Sequence, residues 1–181
     1  KHIVSGLVAV GYSASALVID QETGNALFEK QSSAVVPIAS ISKLMTAMVV
    51  LDARLDMDEL IEIDRSDVDM VKHSSSRVPV GSLISRRDVM QLALMSSDNR
   101  AAAALARTYP GGTPAFKVAV RNKIASLGIR STVIEEPTGL SPRNRSTAGD
   151  LIKMATASAR YPEITNMSTQ SKDLININGR E

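Results

Sequence analysis

Ser40 and Lys43 stand three positions apart at the head of a strongly apolar stretch. On a helix that spacing puts both side chains on one face, one turn apart. Ser40 would sit in the first turn, where backbone N–H groups without helical partners favour developing negative charge. Lys43 enters a run in which Leu44 to Leu51 holds seven apolar residues in eight. Burial there disfavours the ammonium form and makes a neutral amine base plausible near pH 7. A serine beside such an amine can act as an activated nucleophile. The triplet has a second reading, in which Ser40 is an N-cap and Lys43 snorkels to solvent. With 22 Ser and 8 Lys in 181 residues, about one Ser-x-x-Lys arises by chance.

Ser97-Asp98-Asn99 is the second element with chemistry in it. The serine hydroxyl can relay a proton, and the asparagine amide both donates and accepts. The alternative is a connector whose Ser and Asn cap the following helix. Other chemistries are closed off by composition. There is no cysteine, so disulfides, thiolate zinc and a Cys nucleophile are excluded. The two histidines are His2 and His73, too few for a His-rich metal site, and a Ser-His-Asp triad could run only through His73. Net charge is +2 and aromatics are 3%, which supports neither nucleic-acid binding nor stacking platforms. No apolar run reaches the roughly 18 residues of a membrane span. The composition, 44% hydrophobic and 22% charged, is that of one globular domain.

Several elements must position these residues. Residues 13–20 and 25–30 read as a hairpin around Gln21-Glu22-Thr23-Gly24. A helix from about Ser40 to Arg54 is apolar all round and therefore buried. Leu60 to Ile63 is a short strand. Ser85 caps a helix that uses Val89, Leu92, Ala93 and Met95, and another helix starts near Arg100. Thr113 as cap and Pro114 in the first turn open a helix that Gly128 ends. Ser146-Thr147 begins a further helix with Asp150 in its first turn and Pro162 beyond its end. Leu174 to Asn178 alternates like a strand and meets Asn178-Gly179, the strongest short hairpin signal. Only Arg180 and Glu181 remain for the return strand. The expectation is a chain truncated, cleaved or partly disordered there, with C-terminal strands missing.

The wording around both triplets resembles the penicillin-recognising serine enzymes, whose first two motifs are Ser-x-x-Lys and Ser-x-Asn. It is most similar to the low-molecular-mass penicillin-binding proteins, the D-alanyl-D-alanine carboxypeptidases and endopeptidases, with the endopeptidase branch nearest. Pro37 to Ala47 looks like their nucleophile segment and Leu94 to Ala102 like their second motif. Glu136-Pro137-Thr138-Gly139-Leu140-Ser141 and Ser146-Thr147-Ala148-Gly149-Asp150-Leu151 resemble two further family stretches. The hairpin matches their opening strands, so the likeness runs from about residue 13 onward.

The resemblance implies an α/β (equally α+β) fold of the β-lactamase and DD-peptidase type. A mainly antiparallel sheet is built from terminal strands, with a helical lobe, about 64–145, inserted in a single domain spanning 1–181. The cleft is expected between sheet and lobe. Ser40 would be the acylated nucleophile and Lys43 its base. Ser97 would relay a proton to the leaving amine, and Asn99 would hold Lys43 and the substrate backbone. The substrate would be peptidoglycan stem peptides or cross-links, with β-lactams acylating the same serine. No metal and no organic cofactor is implied. The compartment would be the periplasm, after export and removal of a signal peptide.

One departure stands out. The family's third motif, Lys-Thr/Ser-Gly on a core strand, is absent from the 181 residues. In the family that strand flanks the nucleophile and supplies an oxyanion donor, and losing one such donor costs roughly 10²–10³ in rate. This exact chain is therefore expected to be a poor catalyst unless the segment is supplied. Two rivals remain. A class A-like β-lactamase shares the first two motifs but needs a Glu-x-x-Leu-Asn loop, and Glu163-Ile164-Thr165-Asn166 lacks the Leu-Asn pair. A non-catalytic cell-wall binding protein would have no evident use for all four site residues. A glycosidase on Glu135 and Glu136 is weaker, since adjacent strand residues point to opposite faces.

Overall fold

A computed structural model describes residues 16–19, 26–30, 35–37, 42–70 and 76–169. Ser40, His2, His73 and the expected strand at 174–178 lie outside the described residues. The described strands form three antiparallel pairs. β1 (Ala16–Ile19) pairs with β2 (Ala26–Lys30), with a register shift between Val18 and Ile19. β3 (Val35–Pro37) pairs with β6 (Arg145–Thr147). β4 (Leu60–Glu62) pairs with β5 (Leu83–Ser85). The first pair is the hairpin the sequence indicates. The second, between segments over a hundred residues apart, carries no local signal.

Helix α1 (Ser42–Asp52) is buried along nearly its whole length, from Ser42 and Lys43 through Met45 to Val50. Its apolar residues do not segregate to one face, because helices cover it on several sides. It packs against α2 (Arg86–Met95), α3 (Asn99–Arg107), α4 (Gly112–Ser126) and α5 (Ala148–Ser158). α3 presents Ala101, Ala102, Ala104 and Ala106 to the core. These small side chains let its backbone come close to α1 and α2. Phe116 of α4 is fully buried and meets Tyr109 edge-on at 5.9 Å between ring centroids.

Helix boundaries follow local chemistry. Ser85 caps α2 by accepting from the Asp88 N–H, as expected; α5 begins where expected, with Thr147 as its cap accepting from the Asp150 N–H. Gly128 takes φ +68° at the end of α4, the left-handed turn that favours glycine. The start of α4 differs from expectation. Its N-cap is Gly111, at φ +87° with no side-chain cap, and Thr113 lies inside the first turn. Pro114 is tolerated there because first-turn N–H groups have no helical acceptor. Pro162 does not merely follow α5; it opens α6 (Pro162–Thr169), which packs on α2.

Candidate active site

The approach to α1 is fixed from outside the helix. β3 enters it, and β6 follows directly on residues 135–144. Pairing β3 with β6 therefore brings the α1 N-terminus beside the 135–144 loop. Two backbone hydrogen bonds between Val133 and Arg145, 2.8 and 2.9 Å, close the loop's neck.

Inside that frame, three α1 side chains touch the loop. Lys43 Nζ donates to the Thr138 carbonyl at 2.8 Å. Thr46 Oγ1 donates to the Pro137 carbonyl at 2.9 Å. Asn144 Nδ2 donates to Ser42 Oγ at 3.1 Å. Lys43 is only 3% exposed. Burial pulls its ammonium below the ordinary 10.5, while the negative charges of Glu136 and Asp98 push the other way. A lysine so placed is not snorkelling. Its amine is held in the interior by a carbonyl that the rest of the loop positions.

The second motif falls between α2 and α3. Ser97 is exposed and has φ +48°, in the left-handed region a serine rarely adopts. Asp98 is the residue that caps α3, its Oδ1 accepting from the Ala101 N–H at 3.0 Å. Neither Ser97 nor Asn99 does so, which corrects the capping alternative. A carboxylate satisfies the orphan N–H and complements the helix dipole. The other oxygen, Oδ2, accepts from Ser76 Oγ at 2.7 Å. Arg100 Nη1 reaches the Val78 carbonyl at 2.8 Å. Asp98 and Arg100 thus pin the turn from below and leave the Ser97 hydroxyl on the outside.

Asn99, the first residue of α3, borders a cavity of about 440 Å³ together with Thr138 and Leu140 of the loop and the Ser66–Met70 segment. That segment overlaps a short 3₁₀ turn, Arg65–Asp67, capped by Asp64. Arg107 holds it through a two-pronged bond to buried Asp67, 3.0 Å to each carboxylate oxygen. Thr138 is the common point: its carbonyl holds Lys43, and it shares the cavity wall with Asn99. Asn99 thus borders the hollow directly and Lys43 is tied to its wall through Thr138, while Ser40 precedes the first described residue of α1 by two positions.

Two contributors had no role in the serine-peptidase reading of the sequence. Glu136 and Asn144 organise the loop, and Asn144 is completely buried. Glu136 stood within a stretch that resembled the family, but residue type offered it only the weak glycosidase role beside Glu135. The same geometry removes the glycosidase reading. Glu135 is exposed beside Arg143, while the Glu136 carboxylate turns into its own loop.

The sequence profile of the D-alanyl-D-alanine carboxypeptidase family matches residues 9–181. The chain belongs to this family. It is 54% identical over 157 residues to the D-alanyl-D-alanine endopeptidase of Pseudomonas aeruginosa, covering 87% of this chain and 51% of that protein. With the D-alanyl-D-alanine endopeptidase of Escherichia coli, identity is 52% over 162 residues, 90% of this chain and 52% of the relative. The chain spans about half the length of the curated relatives it matches. Penicillin-binding protein D2 from Listeria monocytogenes, solved in its ampicillin-bound form, shares the fold at TM-score 0.71. Identity to it is 32%, over 85% of this chain and 65% of that one. The α/β architecture anticipated from sequence is that of these neighbours. Among the described residues no helix is long and apolar enough to cross a membrane.

Proposed function

We propose that this chain carries the nucleophile half of a serine DD-peptidase acting on bacterial peptidoglycan. The endopeptidase activity of the relatives' names is favoured over carboxypeptidase activity. The observation that carries the reading is Lys43: a buried amine, lowered by burial, bonded to the Thr138 carbonyl beside a cavity that Asn99 borders. Burial of an amine against a carbonyl favours its neutral form, which is the form a general base needs.

In this mechanism Ser40 Oγ attacks the D-alanyl carbonyl carbon while Lys43 Nζ accepts its proton. Ser97 passes a proton to the departing amine as the C–N bond breaks, and Asn99 holds the substrate backbone. Water then attacks the acyl-enzyme, returning a carboxylic acid and free Ser40. β-Lactams form the same ester by opening their ring, with no leaving group to depart. No metal or cofactor enters a step. A peptidoglycan substrate supports a periplasmic location.

A β-lactamase reading is disfavoured by Glu136. It is the carboxylate nearest in the chain to Thr138, yet its oxygens already accept from Thr138, Gly139, Ser141 and Asn144. A carboxylate so engaged is not available to activate a deacylating water. The experiment is an intact-mass spectrum before and after benzylpenicillin, with the adduct mapped by digestion. A stable adduct on Ser40 is expected once a Lys-Thr-Gly strand is present. A folded chain carrying that strand and giving no adduct would overturn the proposal in favour of a non-catalytic binder. Rapid release of hydrolysed penicillin would overturn it in favour of a β-lactamase.

A further inference from the structure

Glu136 is surrounded by donors from its own loop. Oε1 accepts from the Gly139 N–H at 2.6 Å, the Ser141 N–H at 3.2 Å and Asn144 Nδ2 at 3.0 Å. Oε2 accepts from the Thr138 N–H at 2.8 Å and from the Thr138 hydroxyl. Asn144 completes the arrangement from the other side. Its Oδ1 accepts from the N–H groups of Glu135 and Glu136 at 2.8 and 3.2 Å, and its Nδ2 also reaches the Glu136 carbonyl at 2.8 Å. Five donors converge on one carboxylate, and the peptide unit they fix is the one whose carbonyl receives Lys43.

We propose that Glu136 is a positioning residue for Lys43, wrapping the 135–144 loop around its carboxylate so that the Thr138 carbonyl is presented to the lysine amine. Thr138 is the hinge of the device. Its N–H and hydroxyl point to Glu136 while its carbonyl points to Lys43, so the two contacts are set by a single residue. Glutamine cannot substitute. One of its two terminal atoms is an NH₂, and each position it could take already faces an N–H or O–H donor.

Charge adds to the geometry. Among the described residues, Glu136 from the loop and Asp98 from the α2–α3 turn act on Lys43 by charge, and both favour the ammonium against burial. Glu136 therefore limits how far burial lowers the amine, and it does so from a fixed place. The consequence for catalysis rests on the reading of Lys43 as the base; the positioning itself does not.

The test is made on the full chain labelled with ¹³C at the lysine ε-carbon, without substrate, comparing wild type, Glu136→Gln and Glu136→Asp. The Lys43 signal is assigned by its loss in Lys43→Arg. In Glu136→Gln, amide exchange at Thr138, Gly139 and Ser141 is expected to accelerate by about tenfold or more, the worth of a hydrogen bond to a charged group. The Lys43 signal is expected to titrate at lower pH than in wild type. Glu136→Asp keeps the charge on a shorter arm. It should accelerate the same amides and move the Lys43 titration less, and it decides the matter if Glu136→Gln does not fold. Unchanged exchange in these variants overturns the proposal. So does accelerated exchange with an unmoved Lys43 titration, which would make Glu136 a loop staple only. Neither readout uses acylation, so absence of a Ser40 adduct would defeat the peptidase reading and leave this one intact.

Discussion

Lys43 and Thr138 are 95 positions apart in the chain and 2.8 Å apart in space, amine to carbonyl. A carbonyl accepts a hydrogen bond from an amine and from an ammonium alike, so it holds the lysine in place through a proton transfer. Among the described residues, burial, Glu136 and Asp98 then weigh on its acid–base balance. That arrangement suits a group that must be neutral to accept a proton and cationic afterwards.

The pH dependence follows directly. In the proposed mechanism only the neutral amine can deprotonate Ser40, and burial lowers the Lys43 pKa below 10.5. Acylation by benzylpenicillin should therefore rise with pH along a limb whose midpoint lies below 10.5, and flatten above it. Rates of adduct formation from pH 5 to 11, in a chain that forms the adduct, measure this. A limb centred at or above 10.5 would show that another group is titrating. Linkage has the same sign. The folded chain binds fewer protons than the unfolded one between the lowered value and 10.5, so Lys43's contribution to stability rises with pH across that window. Lys43→Ala should cost roughly 10²–10⁴ in acylation rate, the usual worth of a general base.

Asp98 is expected to be worth more to the fold than its flanking residues. Asp98→Ala removes the α3 cap and leaves the Ser76 hydroxyl without its carboxylate acceptor. Loss of a cap costs about 0.5–2 kcal/mol, and the lost bond to a charged group adds to it. A total of about 2–3 kcal/mol in urea unfolding is the expected outcome. Ser76→Ala in the Asp98→Ala background should cost much less than Ser76→Ala alone, since the two residues act as a pair.

How much of this was legible in the sequence depends on the range of the interaction that decides it. The hairpin at 16–30, the buried α1 and the caps at Ser85 and Thr147 follow from local pattern, and the structure has them. The α4 start was misplaced because a left-handed Gly111 can open a helix without a side-chain cap, and Thr113-Pro114 looked like the conventional signal. α6 was missed because Pro162 reads equally as a stop and as a first-turn residue. Lys43 was singled out by its spacing from Ser40 and by the family-like wording around both, and its apolar neighbours added little. Glu136 and Asn144 were not, because what singles them out is an inward turn and burial, and neither leaves a periodic trace. The β3–β6 pairing joins segments with no mutual sequence signal at all.

Ser97 carries strain that a glycine would relieve. At φ +48° a serine pays for the clash between Cβ and backbone, about 1–2 kcal/mol for the left-handed region. Ser97→Gly should therefore stabilise the chain by up to about 1 kcal/mol, the smaller figure reflecting glycine's extra freedom when unfolded. The same change deletes the hydroxyl assigned to proton relay, so acylation should slow. Thermal unfolding and adduct formation measured on one sample check both signs. Stability and activity moving apart is the pattern of a residue strained for function; both falling together would make Ser97 an ordinary structural residue.

Arg107 is expected to control the cavity wall from a distance. Its guanidinium holds buried Asp67 through two bonds of 3.0 Å and reaches the Glu62 carbonyl at 2.6 Å. Asp67 also accepts from the Asp64 N–H at 2.8 Å, which closes the 3₁₀ turn. Arg107→Ala leaves Asp67 buried without its cation, a situation that costs about 3–5 kcal/mol for a fully buried pair. The arginine side is one-third exposed, so about 2–3 kcal/mol is expected here. Arg107→Lys should recover only part of this, because an ammonium cannot match the two carboxylate oxygens and the carbonyl at once. The Ser66–Met70 segment borders the cavity, so loosening it should raise KM for a peptide substrate more than it lowers kcat. Urea unfolding of the three chains, with exchange rates at Asp67 and Val68 as the local probe, measures the wall; an unaltered segment in Arg107→Ala would show that it is held by its own turn and not by α3.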